Sequence, residues 1–232
     1  MTLVISAIAS DGIVVAGDGI TTHVSYSDKS ERTVISMRSE KVFDFLGEYA
    51  IGTAGRERFG SRGIGHILFD IEEDVRLGNI PAPHDFQSLS NILCQQFAYA
   101  MINDYKTIQA RTGKRLERFG PLRFHIIGYE NQVPTIGELD AVETKLTLKQ
   151  HIGLSVLGIP EAVDHFLPVG QQQQKASEIA TWQLQDAVDY VSKLIHQVAL
   201  REQKTQHPPR IGGELLIAVM TLDGGFEWAS SG

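Results

Sequence analysis

The sequence predicts an α+β protein in which antiparallel sheets pack together and helices cover their outer faces. Three features support this class: short β-branched runs open the chain, two amphipathic helix patterns follow, and further strand patterns flank a last long helix. No repeat, linker or change of composition divides the 232 residues. We therefore expect a single domain over residues 1–232.

Two hairpins are predicted in the first quarter of the chain. The turn residues Ser10, Asp11 and Gly12 separate the first two β-branched runs. The polar stretch 22–40 shows no clear period and precedes the second hairpin. The predicted strands are residues 3–9, 13–16, 41–45 and 49–52.

The rest of the chain alternates between helical and strand patterns. Asp85 follows two prolines and is a good N-cap for the second helix. The predicted helices cover residues 56–77, 85–111 and 177–202. The predicted later strands cover residues 122–128, 134–139, 146–154 and 214–221.

Composition excludes several classes of function. The formal net charge of -7 disfavours binding to nucleic acid or to anionic lipid. The chain has no apolar stretch of membrane-spanning length and no signal-peptide pattern, so we expect a cytoplasmic protein without a membrane partner. The single cysteine, Cys94, cannot form an internal disulfide, and no Cys/His spacing indicates zinc. No metal or cofactor is expected.

The first residues carry a family resemblance. Residues 2–19 begin with Thr2-Leu-Val-Ile-Ser and end with Val-Val-Ala-Gly-Asp-Gly. This segment resembles the opening of proteasome β subunits and, most of all, of their bacterial relative HslV. In that family a Thr begins the mature chain, an Asp follows the second strand and a Lys opens the third. Thr2, Asp18 and Lys41 stand in those places, although the interval between Asp18 and Lys41 is longer than usual.

Later segments extend the resemblance over the order of elements in the whole chain. Residues 51–55, Ile-Gly-Thr-Ala-Gly, are similar to the segment whose glycine amide forms the oxyanion hole, which here is Gly55. Residues 152–160 are similar to Anbu, a bacterial proteasome-like family. Paired glycines precede the last strand, but residues 208–211, Pro-Pro-Arg-Ile, replace the Asp and Ser that standard β subunits carry before them.

The resemblance implies a fold, an activity and an assembly. The fold would be the four-layer αββα sandwich of N-terminal nucleophile (Ntn) hydrolases, and the activity that of a threonine endopeptidase. Its substrates would be peptides or unfolded proteins. The subunits would form a homo-oligomeric ring or spiral, with an unidentified ATPase or activator as a further partner.

An N-terminal threonine carries both a hydroxyl nucleophile and an amine that accepts its proton near neutral pH. Thr2 would gain this amine through removal of Met1. Lys41 would favour loss of the hydroxyl proton, and Asp18 would pair with and orient the ammonium. Gly55 would offer its amide to the developing oxyanion.

Three further residues complete the predicted site. Ser155 is a candidate to hydrogen-bond the Thr2 amine or a water. Thr22 and Thr53 are expected to bind substrate, with specificity coming from a pocket beside Thr53.

Non-catalytic, structural interpretations of the same residues remain open. Thr2 can be an ordinary strand residue, Asp18 and Lys41 a strand-end ion pair, and Gly55 and Ser155 turn residues. At the level of function, one alternative is a catalytically silent structural subunit of the same fold that keeps Met1. Another is a small-molecule amidase of the Ntn class, since a fold does not fix a substrate.

Overall fold

The structure is a computed structural model that describes residues 2–24, 32–113, 121–206 and 208–229. Within these ranges the chain forms two five-stranded antiparallel sheets, two short hairpins and five helices. None of the described helices combines the length and apolar composition needed to cross a membrane.

The first sheet contains the start and the end of the chain. Its strands are β1 (Leu3–Ile8), β2 (Ile13–Gly17), β12 (Leu154–Gly158), β13 (Leu216–Thr221) and β14 (Gly225–Ala229). Their order across the sheet is β12-β1-β2-β13-β14. Every residue of β1 and β2 is buried, so these central strands are covered on both faces.

The second sheet is built from the middle of the chain. Its strands are β5 (Val42–Phe45), β6 (Tyr49–Gly55), β9 (Leu122–Glu130), β10 (Val133–Asp140) and β11 (Lys145–Gln150), in the order β11-β10-β9-β6-β5. Two separate hairpins pair β3 (Thr21–Val24) with β4 (Arg32–Ser36) and β7 (Arg58–Phe59) with β8 (Arg62–Gly63).

Three apolar clusters fix the order of the layers. The helices are α1 (Ile64–Arg76), α2 (Phe86–Thr112), α3 (Pro160–Val163), α4 (Val169–Ile179) and α5 (Leu184–Thr205). One cluster joins α3, α4 and α5 to the first sheet, and another joins α1 and α2 to the second sheet. The third lies between the sheets, where Val4 and Val15 meet Ala50 and Ile127. The predicted antiparallel sheets with outer helices are therefore present.

Much of the predicted secondary structure is confirmed. The helix predicted at residues 85–111 is α2, with Asp85 as its N-cap in a capping box with Ser88. Both predicted hairpins near the start of the chain are present as β1–β2 and β5–β6.

Four predictions were wrong in detail. Residues 58–63 form the β7–β8 hairpin, so α1 begins at Ile64 rather than at residue 56. The last predicted helix is two helices, broken where Trp182 accepts a hydrogen bond from Ser10. The strand predicted at residues 146–154 is also divided, because β11 and β12 belong to different sheets. The strands β3, β4 and β14 were not predicted, whereas the strand predicted at residues 214–221 is present as β13.

Candidate active site at the start of strand β1

Thr2 immediately precedes β1 and is only 1% exposed. Its hydroxyl donates a hydrogen bond to Oε1 of Glu57 at 3.3 Å. On the other side of the residue, Gly158 has φ +107 and passes so close that a Cβ there would lie 1.7 Å from the Thr2 carbonyl oxygen. Thr2 is thus held between the end of β12 and the segment that follows β6.

Asp18 holds the backbone next to Thr2. Its Oδ1 accepts the amide of Leu3 at 2.8 Å, and its own amide donates to the Leu3 carbonyl at 3.0 Å. Its Oδ2 accepts the amide of Gly212 at 3.1 Å. The first of the paired glycines therefore reaches this site through its own backbone amide.

Lys41 lies directly before β5 and is 1% exposed. The β3–β4 hairpin occupies part of the long interval between Asp18 and Lys41, so the longer spacing still brings Lys41 to the site. Its ammonium forms an ion pair with Oε1 of Glu57 and donates to the Thr21 hydroxyl at 3.3 Å. Lys41 thus forms an ion pair with Glu57, whereas the sequence predicted Asp18 as its partner.

Glu57 is the residue that joins the site together, and the sequence did not predict it. Its carboxylate receives the Thr2 hydroxyl and the Lys41 ammonium on Oε1 and the Thr21 hydroxyl on Oε2 at 2.5 Å. Because Glu57 stands between Arg56 and Arg58 without any periodic pattern, the sequence suggests only a solvated charged segment. We call Thr2, Asp18, Thr21, Lys41 and Glu57 the Thr2 cluster.

Burial changes the ionisation of two members of the Thr2 cluster. Loss of water raises the pKa of Asp18 to about 6, although the amides of Leu3 and Gly212 and the charge of Lys41 act in the opposite direction. Burial also lowers the pKa of Lys41 to about 8, against the attraction of Asp18. At neutral pH both groups are charged, but each lies much closer to its titration range than a solvated group does.

Gly55, the predicted oxyanion donor, ends β6 two residues before Glu57. Its φ is +104, and a Cβ would lie 2.0 Å from the carbonyl oxygen of Pro121, so no other residue fits this conformation and contact. This glycine is required by the turn whatever its chemical role. Its action on an oxyanion stays a prediction.

The two predicted substrate-binding threonines lie in different strands, Thr53 in β6 and Thr22 in β3. Thr53 is 2% exposed, and its amide donates to the Lys41 carbonyl at 2.8 Å. It therefore supports the backbone of Lys41, and its side chain is closed to solvent. Thr22 lies in β3, but its side chain falls outside the described part of the structure, as does Met1.

The prediction that Ser155 contacts Thr2 was wrong, because the register of β12 places Ser155 further along β1. Ser155 pairs with Ser6 across β12 and β1, four residues along the strand from Thr2, which is about 13 Å. Its hydroxyl contacts Nε2 of His125 at 2.8 Å and also bonds Glu138. Only the pairing of strands distant in sequence fixes this position, and the local motif carries no signal of it.

Ser155 belongs to a second group of buried polar side chains. Ser6 Oγ lies 2.9 Å from Nδ1 of His125, which is fully buried. Lys149 forms an ion pair with Glu138 at 2.5 Å. We call Ser6, His125, Glu138, Lys149 and Ser155 the His125 network. Burial lowers the pKa of His125 to about 4, so its ring is neutral at pH 7.

No model of a known protein family matches the chain, and no curated protein matches it in sequence. The chemistry open to the Thr2 cluster follows from its own residues. A threonine hydroxyl, a buried ammonium and two carboxylates converge at the start of one strand. This set can activate a hydroxyl and stabilise charge beside it.

Proposed function

We propose that the chain is a threonine-type peptidase of the Ntn-hydrolase class, in which Thr2 becomes the nucleophile after Met1 is removed. The observation that carries this proposal is the convergence of the Thr2 hydroxyl and the Lys41 ammonium on one carboxylate, while Asp18 fixes the backbone of Leu3. Perturbed, buried ionisable groups around a hydroxyl are typical of active sites.

The proposed reaction is acyl transfer to the threonine oxygen. The α-amine of Thr2 accepts the hydroxyl proton while Oγ bonds to the substrate carbonyl carbon and the carbonyl electron pair moves to its oxygen. The amide of Gly55 stabilises this oxyanion. Collapse of the intermediate expels the amine of the substrate, which takes the proton and leaves an ester. Water then attacks the ester and releases the acid.

Charge in the Thr2 cluster favours a free amino group at Thr2. Asp18 and Glu57 contribute two negative charges and Lys41 one positive charge, so the cluster lacks one cation. An α-ammonium at Thr2, with an ordinary pKa of about 8, would supply it. Deprotonation of the same group then provides the base.

The experiment combines intact mass with covalent trapping. Purified protein should lack Met1 and should gain one peptide epoxyketone per chain, on Thr2, because an N-terminal threonine offers both hydroxyl and amine for ring closure and an internal serine or cysteine does not. Thr2→Ala should take no label, whereas Thr2→Ser keeps the hydroxyl and should still react. An adduct at another residue of Met1-free protein, or none with several peptide epoxyketones and a β-lactone, would reject the proposal.

A catalytically silent subunit of the same fold is the second candidate, and one observation favours it. Thr2 is buried and its hydroxyl already has an acceptor in Glu57, so this hydroxyl has a hydrogen-bond partner without any substrate. Retention of Met1 in the intact mass would select this alternative over peptidase activity. The small-molecule amidase stays open only if Met1 is removed and small amides are cleaved faster than peptides.

We also propose that the chain self-associates. Phe69 on α1 and Tyr99 on α2 are 61% and 67% exposed, and a contact between copies through these outer helices would remove both side chains from water. The proposal, which includes the ring or spiral assembly, predicts a particle larger than a monomer in sedimentation velocity at micromolar concentration. A monomer under those conditions would contradict it.

A further inference from the structure

We propose that Glu57 is a positioning residue that keeps the ammonium of Lys41 charged and aims the hydroxyl of Thr2. For its effect on turnover, this inference rests on the proposed peptidase function. For its effect on Lys41 it does not, because the ion pair exists whatever reaction the site performs.

The geometry assigns both tasks to one carboxylate. Oε1 of Glu57 receives the Thr2 hydroxyl and the Lys41 ammonium together, so it fixes these two groups relative to each other. Oε2 accepts the Thr21 hydroxyl, whose oxygen lies 2.5 Å from Ser39 Oγ. These additional bonds hold the carboxylate in one orientation, which a freely rotating surface glutamate would not keep.

Glu57 is sheltered enough for its charge to act on Lys41. The side chain of Lys41 is 1% exposed and that of Glu57 is 20% exposed. Water therefore screens this pair much less than a surface ion pair. Removing the carboxylate would leave the ammonium buried with Asp18 as the remaining negative charge that acts on it.

The other charged groups near Glu57 have partners elsewhere. Arg56 forms an ion pair with Asp104, and Arg58 donates to the Ser61 carbonyl at 3.1 Å. Directly after β2, Asp18 acts on Lys41 through its charge. The strands β1 and β13 carry no ionisable side chain in their described ranges, and β6 carries Tyr49 at the end of the strand away from Glu57. Among the described residues, Glu57 through its ion pair and Asp18 through its charge are therefore the negative groups placed to act on Lys41.

A pH profile separates this role from simple structural support. In the proposed mechanism the rate rises as the Thr2 amine loses its proton and falls as Lys41 loses its proton. Negative charge at Glu57 favours the protonated form of both groups. Removing that charge should move both the rising and the falling limb of the pH–rate profile to lower pH, by about one unit or more for charges this close.

The experiment compares Glu57→Gln with the native protein in epoxyketone labelling from pH 5 to 10. Glutamine keeps an oxygen that can accept the Thr2 hydroxyl but lacks the charge. We expect both limbs to move to lower pH. Glu57→Asp, which keeps the charge one methylene further away, should lie between the two. Glu40→Gln is the matched control, because it removes an exposed carboxylate next to Lys41 in the chain and should leave the profile in place.

A second measurement follows Lys41 without using activity. NMR of protein labelled at lysine side chains, assigned with Lys41→Arg, gives the titration midpoint of Lys41 directly. We expect a lower midpoint in Glu57→Gln, and Glu57→Asp replaces it in both experiments if the glutamine variant does not fold. A uniform loss of rate with an unchanged midpoint would overturn the proposal. If native protein takes no label, the peptidase function fails, and the midpoint alone decides the role of Glu57.

Discussion

The Thr2 cluster and the His125 network are both buried between the same two sheets, yet they handle charge in opposite ways. The Thr2 cluster keeps the Lys41 ammonium and the Asp18 carboxylate out of water, leaves Glu57 20% exposed, and carries an excess negative charge. The His125 network places a neutral ring between two hydroxyls and puts its ion pair, Glu138 with Lys149, where each side chain is about one-third exposed, at 36% and 35%.

This difference indicates separate roles for the two regions. Charges that are buried without full compensation cost stability and are retained where chemistry needs them. A neutral hydrogen-bonded ring costs little and fixes how two sheets pack. We therefore expect changes in the Thr2 cluster to act mainly on reactivity and changes in the His125 network to act on stability alone.

The largest effect is expected for Lys41→Ala. Labelling at Thr2 should fall by more than about 100-fold, because the charge beside the nucleophile is lost. The free energy of unfolding should also fall by about 3 kcal/mol, because Glu57 and Asp18 remain with no ammonium to compensate them. Urea unfolding of Lys41→Ala and of the double variant with Glu57→Gln checks this. The double variant should recover part of the stability, and equal stabilities would contradict the ion pair.

His125→Ala should be the most damaging change in the second region. It leaves a cavity and two hydroxyls without their ring partner, so the free energy of unfolding should fall by about 3 kcal/mol. Labelling of the folded protein at Thr2 should stay at the native rate. His125→Gln retains a polar side chain and should lose less stability. A folded variant with strongly reduced labelling would mean that the two regions are coupled.

The two regions should also change the free energy of unfolding in opposite directions as the pH falls. The pKa of His125 is lowered from 6.5 to about 4, so the unfolded chain binds this proton first. Stability from this group is therefore lost as pH falls from about 6.5 to 4, by up to about 3 kcal/mol. The pKa of Glu138, held down by Lys149 and Ser155 against burial, acts in the same direction at lower pH.

Asp18 changes the free energy of unfolding with pH in the opposite direction to His125. Its pKa is raised from 3.8 to about 6, so its contribution is present at low pH and is lost as pH rises through about 6. Urea unfolding between pH 4 and 7 should therefore show a steeper acid loss in Asp18→Asn and a shallower one in His125→Gln. Parallel curves for the native protein and both variants would show that neither group sets the pH dependence.

Ser155→Ala is expected to have the smallest effect. It removes the bonds to His125 and Glu138 and should cost about 1 kcal/mol of unfolding free energy. Labelling at Thr2 should not change, because the register places Ser155 beside Ser6. A selective loss of labelling would return Ser155 to the active site. Thermal unfolding and epoxyketone labelling measure the two effects side by side.

The sequence could predict the parts of this molecule that depend on local pattern. The β-branched runs of β1 and β2 and the N-cap at Asp85 are short-range signals, and they appear where they were expected. The division of residues 146–154 between two sheets is not local, because strand choice depends on partners far along the chain. The same holds for the register that moved Ser155 away from Thr2.

In the candidate site, too, the residues that the sequence missed are those placed by contacts between distant parts of the chain. Thr2, Asp18 and Lys41 were found because they stand in the places that the family resemblance indicates, and the structure brings all three to the start of β1. Glu57 was missed because its role comes from folding back across the sheets onto Thr2 and Lys41. Between two arginines it has no pattern that separates it from a surface charge.

The pairing of β1 also has a consequence for the order of events during synthesis. Leu3 pairs with Gly158, and Gly17 pairs with Leu216, so the first sheet cannot close until almost all of the described chain has left the ribosome. Until then the segment around Thr2 stays open to processing enzymes. In the folded chain Thr2 is 1% exposed. A residue ahead of Thr2 is therefore best removed on the nascent chain, and inhibition of methionine removal during expression should not be repaired by treating the folded protein afterwards.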